Sequence, residues 1–178
     1  KFPGKTVLFY FVIATMLVPP EVGSVPLFII MKKVGLINSL WSLVIPRIAT
    51  AVGIFYMNQY ITDVPDELVE AARIDGSGEF RTFNSIVLPI MKPAIAVQAI
   101  FTFVGSWNNY FVPALVIQSK SKMTVPILIA TLRGADYMNF DMGKIYMMIT
   151  VAIVPIIIVY LLLSKFIIAG VTLGGVKE

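Results

Sequence analysis

The sequence predicts an all-α, polytopic membrane protein with about four transmembrane helices, and three observations carry that prediction. Of its 178 residues 58% are hydrophobic and only 13% charged, with a mean hydropathy of +0.88, outside the usual shares of a soluble domain. The apolar residues gather into four stretches that each reach the roughly 20 residues a helix needs to cross the hydrocarbon core. The charges concentrate between those stretches, above all in one acidic loop.

The first stretch, residues 6–31, is interrupted at Pro19 and Pro20, whose ring nitrogens carry no proton for helix hydrogen bonding, so a kink or unwound turn is expected there. The second, residues 37–60, holds Pro46 and Arg47; the third, residues 86–106, is entered through Pro89, Lys92 and Pro93. Residues 145–164 form the clearest span: they carry no charge, and Pro155 is tolerable because neighbouring helices re-satisfy the freed backbone groups. Residues 63–79 contain Asp63, Asp66, Glu67, Glu70, Asp75 and Glu79, six of the ten acids in the chain, and therefore belong in water. Residues 118–144 form a second polar stretch, and one intervening span places it on the opposite side of the membrane. Counting Lys and Arg on the two sides gives seven against six, so the positive-inside rule does not orient the chain.

Composition also excludes. The 14 Lys and Arg are scattered without a basic stripe, so nucleic acid is not an expected partner. With no Cys and no His, there is no thiolate or imidazole for a disulfide, a structural metal or the usual general base, and no metal site or catalytic residue is expected. The chain begins with Lys1 and enters apolar sequence almost at once, which reads as a single transmembrane domain over 1–178 that is incomplete at its N-terminal side. The competing reading is a signal peptide, which lacks a small-residue cleavage site after residue 18.

The acidic loop carries the functional argument. Pro65 near a first turn, Asp66 and Glu67 at the positive dipole end and Gly76 as a stop predict a helix over about 65–75. So short a helix is marginal alone and needs something docked against it. Leu68, Ala71 and Ala72 fall at helical spacing, and the two small residues admit a close neighbour. Asp75 sits at the unfavourable dipole end and is expected to bond the following turn or a basic partner. A second short helix follows, with Phe80, Phe83 and Val87 on one face, Ser77 as cap and Pro89 closing it. On spacing alone, residues 63–89 are a helix-turn-helix unit that serves equally well as a solvated connector.

Glu70, Ala71, Ala72, Gly76, Ile86, Leu88 and Pro89 stand at the spacing of the EAA loop, and this stretch resembles that loop in bacterial ATP-binding-cassette import permeases. The resemblance extends through Gly35 to Ser39, Trp107 to Asn109 and the tail from Ala169 to Lys177, and points to the carbohydrate branch, similar to the maltose-type second permease. It covers the C-terminal two-thirds of such subunits. It implies a cytoplasmic coupling loop whose first helix enters a cleft on an ATPase, with Glu70 paired to a basic residue, Ala71 and Ala72 allowing close approach, and Gly76 allowing the turn. The implied partners are two cytoplasmic ATPase subunits, a second permease subunit, an extracytoplasmic solute-binding protein touching residues 118–144, and membrane lipid. The tail from 170 to 178 is expected to reach the ATPases. The chain has no Gly-rich loop ending in Lys and Ser or Thr, so no cofactor is expected in it and ATP is expected on the partner subunits.

Ser106, Trp107, Asn108, Asn109 and Tyr110 combine aromatic faces with amides, the mix a sugar path needs; the alternative is an interfacial aromatic belt. Arg47 and Glu21 lie in or near apolar sequence, where a mid-membrane charge costs about 2.5–3.5 kcal/mol on insertion scales. Arg47 is expected to line the pathway or pair with another helix, or else to snorkel to the interface. The reading is a non-enzymatic sugar permease subunit of the bacterial inner membrane. Its alternatives are a permease for a non-sugar solute and a four-span scaffold or receptor; a proton-coupled carrier is disfavoured by the scarcity of acids in the spans.

Overall fold

A computed structural model describes residues 3–62, 64–134 and 141–174, and the regular structure among them is helical throughout. Asp63, Asp136 and Lys177, together with the end of the glycine-rich tail expected to touch the ATPases, lie outside the described residues.

The first apolar stretch folds as α1 (Lys5–Met16) and α2 (Ser24–Lys33), parted where Pro19 and Pro20 were expected to interrupt it. Glu21 lies on the intervening turn, exposed, and its carbonyl accepts the Ser24 N–H and hydroxyl. The second stretch is not one continuous helix. It forms α3 (Trp41–Val44), a 3-10 turn at Ile45–Arg47, and α4 (Ala51–Ile61). Pro46 cannot continue the ladder, and Thr50, extended at ψ 139°, caps α4 by accepting the Gly53 N–H at 3.1 Å, a cap of about 1 kcal/mol.

The polar loop gives α5 (Asp66–Ile74) and α6 (Glu79–Thr82). A π-helical segment, Phe83–Val87, leads into α7 (Leu88–Ile90), and α8 (Lys92–Trp107) leaves Met91 at 72° to the axis of residues 79–90. Pro89 was expected to close the helix but lies within it, and the wide π turn precedes it in the chain, where a ring without an N–H leaves a carbonyl unpaired. The remaining helices are α9 (Phe111–Val116), α10 (Val125–Gly134) and α11 (Met142–Gly174), the last with Pro155 inside it.

Met142–Phe166 is long and apolar enough to cross a membrane by itself, and the bent pair 79–90 with 92–107 meets the same requirement jointly. α8 packs along α11, α4 lies against both α1 and α8, and α9 against α2 and α3. Ala94 and Ala96 are buried on α8, and such small residues let helix backbones approach where lipid supplies no hydrophobic drive. Phe9 stacks on Phe55 at 6.0 Å to tie α1 to α4. Only 6% of the apolar window of α11 is buried within the chain, so most of its surface is left for lipid or for other protein.

Candidate coupling loop and polar groove

α5 starts as its residues dictate, with Pro65 at the N-cap and Asp66 and Glu67 in the first turn. Its end is a Schellman closure. Gly76 takes φ +77°, the Ser77 N–H donates to the Ala72 carbonyl at 2.9 Å and the Gly76 N–H to that of Arg73 at 3.0 Å, which satisfies carbonyls that a helix end otherwise leaves orphaned. Among the described residues Asp75 makes neither expected bond; it is the exposed C-cap residue. The ion pair across the turn is instead Arg73 to Glu79, with Nη2 2.7 Å from Oε1, and its exposure limits it to about 0–1 kcal/mol.

Two further expectations need correction. Ser77 is not the cap of the second helix: Gly78 takes the N-cap position, and among the described residues no side chain accepts an N–H of that first turn. Phe80, Phe83 and Val87 do not share one covered face: Val87 is buried, Phe83 is half-exposed and Phe80 is 83% exposed. The π turn between them winds more slowly than an α-helix and rotates Val87 out of line with Phe80.

Glu70 and Ala71 are exposed, whereas Ala72 is buried against the chain itself, where α5 meets α6 and the π turn. Leu88 is half-buried and Pro89 exposed. Ile74, 86% exposed, stands on the same unit as Phe80, so two bulky apolar side chains project from the most acidic part of the molecule. Sequence reasoning passed over Ile74, although it lies three residues after Ala71 on the helical surface.

At the other end of α8 the structure separates the residues expected to line a path. The Trp107 indole donates to the Ala152 carbonyl at 2.9 Å and its ring stacks on Phe103 at 5.7 Å. Trp107 therefore pins α8 to α11 three residues before Pro155. The Asn109 Oδ1 accepts the Val112 N–H at 3.1 Å, capping α9, while Asn108 is exposed and lines a cavity of about 290 Å³ with Trp107, Tyr110 and Ala130. Asn109 thus has a structural duty that its neighbour lacks.

Arg47 lines a different groove, of about 320 Å³, together with Thr50, Tyr56, Gln98, Thr102 and Ser106. Its Nη1 donates to the Ser106 hydroxyl at 3.1 Å, and Gln98 Nε2 donates to the Thr102 hydroxyl at 3.1 Å. Gln98, Thr102 and Ser106 recur every fourth residue along α8. That spacing, a polar stripe on an apolar helix, was present in the sequence and was missed because no single residue in it is charged. No group of three or more His, Cys, Asp or Glu able to hold a metal occurs among the described residues.

The family described as "binding-protein-dependent transport system inner membrane component" matches residues 1–173. An arabinooligosaccharides transport system permease protein of Halalkalibacterium halodurans is 38% identical over 176 residues, covering 99% of this chain and 62% of that protein. A diacetylchitobiose uptake system permease protein of Streptomyces coelicolor is 30% identical over 98% of this chain and 58% of its own length. Among solved structures, that of a bacterial ABC transporter involved in the import of the acidic polysaccharide alginate has a TM-score of 0.78 at 24% identity, over 93% of this chain and 62% of the matched one. The likeness to that structure speaks to the fold. The chain spans about three-fifths of the length of the relatives it matches.

Proposed function

This chain belongs to the family of binding-protein-dependent transport system inner membrane components, and from that premise we propose that it is the permease subunit of an ATP-binding-cassette importer that passes a sugar across the bacterial inner membrane. The relatives named above are permeases of arabinooligosaccharide and diacetylchitobiose systems, which supports a carbohydrate cargo. The chain acts as one transmembrane domain, with residues 63–89 as its cytoplasmic coupling loop, and it does no chemistry of its own. Its three interrupted apolar stretches cross as broken spans beside α11, a form tolerated where neighbouring protein re-satisfies the backbone.

The observation that carries the reading is the α5–turn–α6 unit. A Schellman-closed helix of nine residues presents Glu70 and Ala71 outward, flanked by exposed Ile74 and Phe80. Apolar side chains of that size on an acidic loop need a cover, and the cleft of an ATPase subunit supplies one. Two such ATPases bind ATP, a second permease subunit completes the passage and an extracytoplasmic solute-binding protein delivers the sugar. Closure of the ATPases would then move the docked helices as rigid bodies and rock the attached spans. Asn108, and Arg47 with its polar stripe, line the passage, and Trp107 and Asn109 hold the helices around it.

Co-purification of the permease with its cytoplasmic ATPase tests this. Changing Gly76→Trp or Phe80→Asp should remove most of the retained ATPase and abolish ATP-driven uptake. Undiminished assembly and uptake in both variants would remove the coupling role.

A further inference from the structure

Arg47 is the charged group of the groove beside α8, and its bonding there is incomplete. A guanidinium offers five N–H donors in a rigid fork. Here one of its nitrogens reaches a neutral hydroxyl, that of Ser106 at 3.1 Å, and among the described residues no carboxylate stands against it. The residue is half-buried on the 3-10 turn before α4 and lines the space that Tyr56, Gln98 and Thr102 also face. A cation set in apolar sequence carries a desolvation cost unless an anion or water meets it. The hydroxyls, the amide and the phenol around it suit a polyhydroxylated ligand, and the open fork suits two oxygens of one oxyanion.

We infer that Arg47 is a charge-selecting residue of the passage, and that the groove admits sugars carrying an oxyanion, a carboxylate or a phosphate, in preference to neutral sugars of the same size. This inference rests on the permease reading and narrows its cargo. The Ser106 hydroxyl holds the fork toward the groove, and Tyr56 offers a ring face on which a sugar can stack.

The test uses the intact importer in lipid nanodiscs, without its solute-binding protein, so that discrimination by the groove itself is read. Equilibrium binding is measured for three labelled probes: a neutral arabinose disaccharide, a uronic-acid disaccharide and a sugar phosphate. The wild type should bind at least one acidic probe about tenfold more tightly than the neutral one, the scale of a charge-assisted bidentate contact; which acidic probe wins separates carboxylate from phosphate. Arg47→Gln should erase that preference, so that the acidic probes bind no more tightly than the neutral one. Ser106→Asp, which supplies an internal carboxylate and keeps the cation paired, should erase it too, and covers the case in which Arg47→Gln fails to assemble. Equal binding of all three probes by the wild type, or a preference that survives Ser106→Asp, overturns the inference. ATP-driven uptake of any of the probes, measured in parallel with the binding protein present, keeps the permease reading standing if the preference is absent.

Discussion

The side-chain amide of Asn38 closes a ring with Ser119, 81 positions away: its Nδ2 donates to the Ser119 hydroxyl at 2.6 Å and its Oδ1 accepts the Ser119 N–H at 2.9 Å. The Asn38 N–H donates to the Val116 carbonyl, its Oδ1 accepts the Gln118 N–H as well, and Lys122 Nζ donates to its carbonyl at 2.6 Å. Asn38 also stands at φ +60°, a conformation that Asn tolerates better than most residues. Asn38→Ala leaves several of these groups to water or without partners and should destabilise the purified protein by about 1–3 kcal/mol. Thermal unfolding in detergent, with trypsin cleavage after Lys120 and Lys122 as a local probe, checks it. Unchanged melting and unchanged cleavage would refute the clamp.

Gly76 has open space where a Cβ would stand, so what it supplies is its backbone conformation at φ +77°. Gly76→Ala should cost about 1–2 kcal/mol in the loop, and Gly76→Asn less. Hydrogen exchange at the amides of residues 76 and 77, which close α5, should be slowest in the wild type, faster in Gly76→Asn and fastest in Gly76→Ala. Equal protection in all three proteins would remove the conformational argument.

Gly53 has the opposite reason to be glycine. A Cβ there would lie 2.9 Å from Thr50 Oγ1 and 3.0 Å from Gln98 Nε2, so it would press on the cap of α4 and on the amide that borders the Arg47 groove. Gly53→Ala forces the Gln98 side chain aside, and Gly53→Leu should drive α4 from α8 at about 1–3 kcal/mol, typical of overpacking. Crosslinking yield between cysteines introduced on α4 and α8 reads the separation, and an unchanged yield for Gly53→Leu would contradict it.

Trp107→Phe keeps an aromatic ring beside Phe103 but loses the bond to the Ala152 carbonyl. A loss of about 0.5–1.5 kcal/mol is expected, with near-normal uptake, because the indole is a brace between helices. A collapse of uptake with unchanged stability would place Trp107 on the cargo instead.

Asp141 stands just ahead of α11. The Lys144 backbone N–H that it accepts, at 3.1 Å, holds its carboxyl below the ordinary value of 3.8, assisted by the Lys144 ammonium at 3.1 Å. A carboxyl whose folded value is depressed contributes stability above its unfolded value and loses it as pH falls through the folded one. The start of α11 should therefore remain capped at pH 4 and fray only in stronger acid. Carbon-13 titration of the labelled Asp141 carboxyl should show the depressed midpoint, and Lys144→Pro, which removes the N–H, should raise it toward the ordinary value. A wild-type midpoint at or above that value would refute the cap.

Much of this was legible beforehand, because it depends on local chemistry. Pro19 and Pro20 parted α1 from α2, and Asp66, Glu67 and Gly76 bounded α5 within a residue or so, since caps and dipoles act over a single turn. The break at Thr50 was not foreseen: a β-branched residue with a hydroxyl reads equally as helix or cap until its neighbours are placed. On an even helical period Phe80, Phe83 and Val87 read as one face, and the π turn at Phe83–Val87 breaks that period. Arg47 was noticed as a charge, but its contact with Ser106 joins positions 59 apart and has no local signature.

The 72° bend at Met91 makes the third apolar stretch a bell crank. Its short arm, 79–90, is at most about 18 Å long, because five of its residues wind in the wider π turn, and its long arm, α8, is about 24 Å at 1.5 Å per residue. Met91 is buried, and its N–H and carbonyl both stay hydrogen-bonded, to Val87 and Ile95 at 3.0 Å, which stiffens the corner. Under the proposed coupling, a push at Phe80 would be turned through most of a right angle before it reached the tip of α8, where Ser106 meets Arg47.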